Sequence, residues 1–305
     1  MSLRSDLLNQ YLRWTERTFL TYATSPRALR ASFEIKAQLF FRGSLAVAPN
    51  WRDLAGRPAL EMRPKRLQDA PTLLYFHGGG YVFGSPRTIC KMAGHLAKKA
   101  GFCAVIPEYP LAPEHPFPAA VDHGLAAYQA LLDEGIDPSQ IIIGGDSAGG
   151  NLALSVLGQL VAIKAPMPAG VFGLSPITDF AFSGASMIEN DRSEVILPPS
   201  RFKTMVDAYL CGQAVDDPRV SPLHADFTGA PPVWLAVSDS EILRDDTLRM
   251  AEALRAQGVD VDLTVEHNLP HVWPMFHTLI PEAHATLDAI AQWMINQTAA
   301  SAPTR

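Results

Sequence analysis

The chain has 305 residues, 48% of them hydrophobic, enough to build a large buried core. Its net charge of −6 leaves no basic field for phosphates, which excludes a nucleic-acid binder. Cys90, Cys103 and Cys211 fit neither a disulfide framework nor a CxxC site, so they read as buried free thiols in a reducing cytoplasm.

Residues 5–45 are expected to form one or two amphipathic helices, from the spacing of Leu7, Leu8, Tyr11, Leu12 and Trp14 and then Phe33, Ile35, Leu39 and Phe40. From about residue 57 short apolar runs alternate with helical stretches. Strands are predicted at 59–62, 72–76, 103–107, 141–144, 171–174, 233–237 and 261–265. Helices are predicted near 87–100, 119–134, 148–163, 246–257 and 282–297. Continuous apolar runs such as Ile141-Ile142-Ile143 suit parallel strands covered on both faces, so the alternation predicts a doubly wound α/β sheet. Gly135 and Gly258 supply stop signals after two helices. The interval 180–217 breaks the alternation and reads as an insertion, which can form a cap together with residues 1–45. No run of 18 apolar residues is present, and Met1 to Leu8 lacks an uninterrupted apolar stretch. Neither a membrane span nor a secretory signal is expected.

Gly145-Asp146-Ser147-Ala148-Gly149 is a GxSxG sequence lying between a predicted strand and a predicted helix. That context lifts a serine hydroxyl out of the sheet on a tight turn, with a helix N-terminus beneath it. Ser147 is the candidate nucleophile. The rival, a phosphate-holding glycine loop, lacks the lysine of a P-loop and the spacing of a dinucleotide fingerprint. His77-Gly78-Gly79-Gly80 follows the strand at 72–76, where backbone amides can face a tetrahedral oxyanion. Gly79, Gly80 and Ala148 are the expected donors, with Gly78 shaping the turn and His77 orienting the loop.

The base belongs after the last strand. His271, in the loop Asn268-Leu269-Pro270-His271, ranks first and His267 second, whereas His277 and His284 read as structural or surface residues. Asp239 and Glu241 both follow the strand at 233–237, and spacing does not choose between them as the acid. Asp245 reads as the N-cap of the next helix and Asp246 as a complement to its dipole. The adjacent pairs Asp216-Asp217 and Asp245-Asp246 have no histidine at ligand spacing, so turn and capping roles are preferred to metal binding. Tyr81, Val82, Phe83, Phe33, Phe40 and Phe202 can line a substrate pocket or pack a cap onto the core.

His77-Gly78-Gly79-Gly80, the run Leu111 to Ala120 and Gly145-Asp146-Ser147-Ala148-Gly149-Gly150 together resemble the bacterial hormone-sensitive-lipase-like esterases of the α/β-hydrolase superfamily. The resemblance runs from about residue 57 to the end. It implies an α/β-hydrolase fold, a mostly parallel sheet flanked by helices with a helical cap, and a catalytic domain over 46–305. It also implies hydrolysis of short- to medium-chain carboxylic esters without a cofactor, and a homodimer. The family places its acid in a segment of the form Asp-Pro-Leu-Arg-Asp, which matches Glu241-Ile242-Leu243-Arg244-Asp245 and so implies Glu241 in that role. Pro110 stands where the family usually has arginine after the tyrosine, so any ion pair of that arginine is expected to be absent or replaced. Two other readings remain at this level: an amidase or peptidase using the same residues, and a non-catalytic binding protein on the same scaffold.

Overall fold

The computed structural model describes residues 2–23, 25–40, 49–64 and 69–300, with the Phe40 side chain outside that set. The N-terminal segment forms α1 (Leu3–Leu12), a π-helical turn (Arg13–Arg17), α2 (Thr18–Tyr22) and α3 (Pro26–Phe40); the predicted helical residues 41–45 lie outside the described residues. The sheet comprises β1 (Asn50–Leu54), β2 (Arg57–Met62), β3 (Thr72–Phe76), β4 (Cys103–Pro107), β5 (Ile141–Asp146), β6 (Gly170–Leu174), β7 (Val233–Ser238) and β8 (Val261–Glu266). Its strand order is β1-β2-β4-β3-β5-β6-β7-β8. β2 pairs antiparallel with β1 and β4, and all other neighbours are parallel.

The helices between strands are α4 (Pro86–Ala100), α5 (Ala119–Asp133), α6 (Ala148–Ala162) and α9 (Arg244–Ala256), and α10 (Pro281–Ala300) follows β8. Strand periodicity distributes them. Leu74 and Phe76 of β3 face a core shared with α5, α6 and α9, while Leu73 and Tyr75 face one shared with α4 and α10. β3, β4, β5, β6 and β7 are buried along their whole length, as their unbroken apolar runs require. Local signals fix the helix ends. Ser85 and Thr88 cap α4 reciprocally, Pro86 starts it, and Gly101 closes it at φ +79°. Gly135 and Gly258 adopt positive φ after α5 and α9, the stops read from sequence.

Between β6 and β7 the chain forms α7 (Ser186–Glu189), a short 3₁₀ turn at Pro199–Arg201 and α8 (Phe202–Leu210). The extra strand β1 was not predicted: its sequence, Asn-Trp-Arg-Asp-Leu, is polar because it sits at the sheet edge with only Leu54 buried. Two expectations are corrected. Cys90 and Cys103 are buried, but Cys211 is exposed, at φ +51° where α8 ends. Asp245 is not an N-cap, because α9 already starts at Arg244 after Leu243; its carboxylate instead accepts from the Ser186 amide (2.9 Å) and Arg244 (2.9 Å).

Asp246 does more than complement a dipole. It is buried, and its Oδ2 accepts the Thr178 and Asp179 amides at 2.8 and 3.0 Å, tying the chain after β6 to α9. Burial pushes its carboxyl up to about 7, against the pull of those amides and of Arg249. Asp246→Ala leaves both amides unpaired in a dry interior. It should cost about 2–4 kcal/mol in urea unfolding; a loss below about 0.5 kcal/mol would contradict this role.

Candidate active site

β5 runs straight into α6, and the turn is a single residue. Ser147 sits there at φ +53°, ψ −118°, a conformation that side-chain-bearing residues rarely adopt. Close approach of the backbones forces it. A Cβ on Gly149 would lie 2.0 Å from the Phe76 carbonyl oxygen, and one on Gly145 would lie 2.2 Å from that of Gly149. The Ser147 amide donates to Leu174 O (2.8 Å), and its carbonyl accepts from Asn151 (3.0 Å) as α6 begins. The hydroxyl is thereby carried above the sheet.

The glycine loop faces it from the end of β3. Gly79 and Gly80 hold φ of +121° and +59°, conformations open to glycine. Their amides, and that of Ala148, donate to no other described residue. Gly78 differs, since it lies against the Asp146 carboxylate, where a Cβ would meet Oδ2 at 2.2 Å. His77 stacks on Tyr109 with centroids 4.2 Å apart, and its Nδ1 lies 2.8 Å from Gly78 O. Burial lowers its pKa to about 4, so it serves the loop as a neutral ring.

The histidine and carboxylate candidates sort into two pairs. His271 Nδ1 lies 2.6 Å from Glu241 Oε2, both buried. His267 Nδ1 lies 2.6 Å from Asp239 Oδ2 at the surface. Ser147 and His271 line one cavity, while His267, Asp239 and Glu241 do not. No hydrogen bond joins Ser147 to His271 among the described residues, and catalytic contacts of this kind commonly tighten only with substrate. His277 and His284 pack against His95 in tilted ring contacts, at 4.7 and 5.5 Å between centroids, and none of the three lines the cavity.

Further residues complete this arrangement, and sequence reading had not singled them out. Ser175, at φ +46° just after β6, donates to Glu241 Oε1 (2.8 Å) and accepts the Val272 amide (3.3 Å). The Ser238 amide donates to the same carboxylate oxygen (2.7 Å). Val272, a β-branched residue at φ +51°, turns the chain sharply after His271. Asp146 accepts from Tyr75 (2.8 Å), and its carboxylate packs against Gly78, where a Cβ would meet it, so the glycine loop lies directly on the residue before the nucleophile. Glu194, fully buried, accepts the Ile196 amide (2.7 Å) and, at 3.4 Å, that of Ile242, next to Glu241.

The cavity measures about 230 Å³. Its walls are mainly apolar, with Leu8, Leu12 and Phe33 from the N-terminal helices facing Leu197, Phe202 and Met205. Val82 and Phe83 line it as well. Tyr81 does not, which corrects its proposed place in a substrate pocket. At φ +61° its ring turns inward, stacks on Tyr209 at 3.9 Å and donates to Asn151 (2.5 Å).

The family described as alpha/beta hydrolase fold matches residues 73–275. The chain belongs to that family. An acetyl-hydrolase of Streptomyces hygroscopicus is 35% identical over 83% of this chain and 84% of its own length. An esterase of Acinetobacter venetianus is 33% identical over 92% of this chain and 93% of its own. A crystal structure of an esterase from the bacterial hormone-sensitive lipase family has a TM-score of 0.92 at 35% identity, covering 98% of this chain and 99% of that one. Among α/β hydrolases, this chain is one of the bacterial hormone-sensitive-lipase-like esterases.

In this α/β hydrolase a guanidinium from α3 holds the chain just after Pro110. Arg30 of α3 pairs with Glu114 (2.6 Å) and donates to Ala112 O and Val82 O, both at 2.8 Å. The N-terminal helices are thus fastened beside the glycine loop.

Electrostatics favour a charged imidazole. Burial alone would lower the His271 pKa, but the hydrogen bond and charge of Glu241, with the charges of Glu194 and Asp146, raise it above the ordinary value. A base with a raised pKa loses function as pH falls through that value, so kcat/KM should decline at acid pH with an apparent pKa above about 6.5. Glu194→Gln removes one negative charge from that environment. It should move this acid limb to lower pH; an unmoved profile would show that Glu194 only holds the chain.

Proposed function

We propose that this serine carboxylesterase cleaves short- to medium-chain acyl esters through a Ser147-His271-Glu241 triad and an acyl-enzyme. The buried 2.6 Å contact between His271 Nδ1 and Glu241 Oε2, with His271 lining the same cavity as Ser147, carries this reading. His271 donates from Nδ1 to Glu241, which leaves Nε2 to take the hydroxyl proton as Ser147 Oγ attacks the ester carbonyl. The oxyanion is met by the amides of Gly79, Gly80 and Ala148, which have no acceptor among the described residues, with Gly78 shaping the loop. The imidazolium then protonates the leaving alcohol. Water, deprotonated by the same nitrogen, attacks the acyl-enzyme and releases the acid.

In this proposal residues 1–45 and about 180–217 act as a cap over the catalytic domain, 46–305. The apolar cavity, lined from both segments, supports that division and an acyl chain of limited length. A cytoplasmic location rests on the unpaired cysteines, and a homodimer on family resemblance.

Turnover of p-nitrophenyl butyrate tests the triad. Ser147→Ala should lower kcat by about 10⁴-fold or more, and Glu241→Gln by about 10²–10⁴-fold. Asp239→Asn should stay within about threefold of the parent. Collapse of Asp239→Asn with Glu241→Gln active would transfer the acid role to Asp239. Across p-nitrophenyl esters from acetate to palmitate, kcat/KM should peak at a short or medium chain. A maximum at palmitate would contradict the proposed substrate range.

A further inference from the structure

The outer face of α1 is apolar where a surface helix is ordinarily polar. Leu3 is 75% exposed, Leu7 58% and, in the π-helical turn that follows, Trp14 80%. At helical spacing Leu3, Leu7, Tyr11 and Trp14 fall on one stripe spanning roughly 80° of arc. Leu8 and Leu12, on the inner side, line the active-site cavity and account for half of the helix's apolar character. Nothing among the described residues covers the other half. Tyr11, 42% exposed, stands between the two sides and lines the cavity, so the stripe adjoins the cavity wall.

Charge selects the occupant of this face. Arg4 and Arg13 flank the stripe, both exposed, and neither pairs with a carboxylate among the described residues. Arg13 donates instead to the carbonyl oxygens of Arg192 (2.5 Å) and Ser193 (3.1 Å). The one acidic residue of α1, Asp6, is half-buried. Two cations without carboxylate partners among the described residues, against the single half-buried Asp6 on the Arg13 side, therefore border an apolar stripe on a chain whose net charge is −6. Two copies meeting across this face would juxtapose the same arginines, a like-charge contact. An anionic lipid surface accepts both features, taking the apolar side chains into its headgroup layer and the guanidiniums onto its phosphates. Among the described residues no helix is long and apolar enough to cross a membrane, so such contact would lie in the interface plane.

We propose that the outer face of α1 docks on anionic lipid, with Leu3, Leu7 and Trp14 inserted and Arg4 and Arg13 on lipid phosphates, turning the cavity mouth toward esters dissolved in the layer. This docking is independent of the triad assignment. Co-sedimentation of the full chain with phosphatidylcholine vesicles, with and without 30% (about a third) phosphatidylglycerol, tests it. Binding should require phosphatidylglycerol and weaken in 0.5 M (about half-molar) salt. The Leu7→Gln/Trp14→Gln variant should lose about tenfold or more in vesicle partitioning. Its turnover of dissolved p-nitrophenyl butyrate should match the parent, because neither side chain lines the cavity. Absence of parent binding, or equal binding by the variant, would overturn the proposal. A concentration-dependent dimer lost in the variant, without vesicle binding, would assign the face to a second copy instead.

Discussion

Gly149 and the carbonyl of Phe76 approach so closely that no side chain fits between them, and the rest of the site depends on that contact. It brings the first turn of α6 against the end of β3, which leaves one residue to reverse the chain. Ser147 therefore takes a backbone conformation costing on the order of 1–3 kcal/mol. Burial of α6, whose Leu152, Leu154, Val156 and Leu157 are inaccessible to solvent, offsets that strain. A helix so deeply packed does not relax to relieve one residue.

The strand ends around Ser147 supply the other parts. From β3 comes the glycine loop, packed at Gly78 against the Asp146 carboxylate. From the end of β6 come Leu174, whose carbonyl accepts the Ser147 amide, and Ser175, which contacts both Glu241 and the Val272 amide. One short segment thus touches the chain at the candidate nucleophile, acid and base. Positions spread over more than a hundred residues of sequence are held within a few hydrogen bonds of each other, in an interior where each bond is strong and each lapse costly.

Much of this was legible in the sequence, for identifiable reasons. β3 and β4 were read to the residue because a strand covered on both faces has to be apolar throughout. Ser147 and the glycine loop were legible because tight backbone geometry demands small residues at fixed positions. β1 was not, since an edge strand with one buried residue carries no apolar pattern. Tyr81 misled because its neighbours Val82 and Phe83 line the cavity, whereas its own positive φ turns the ring into the core. Glu194, Ser175 and Asp146 act through partners distant in sequence, and no local motif announces such partners. The choice between Glu241 and Asp239 was of the same kind. Two carboxylates two residues apart differ only in which histidine each meets, and the fold gives each its own.

Against this frame the N-terminal helices have two sides with different tasks. Arg30 fastens α3 beside the glycine loop, and α1 lines the cavity with Leu8 and Leu12, while Leu3 and Leu7 of α1 and Trp14 of the π-helical turn face outward. The central claim concerns the strained serine, that its hydroxyl is the activated nucleophile. Labelling the intact protein with an alkyl fluorophosphonate, followed by peptide mass spectrometry, tests it most directly. The account predicts one adduct, on Ser147, appearing in step with loss of esterase activity. An adduct on another residue, or complete inactivation with Ser147 unmodified, would contradict it.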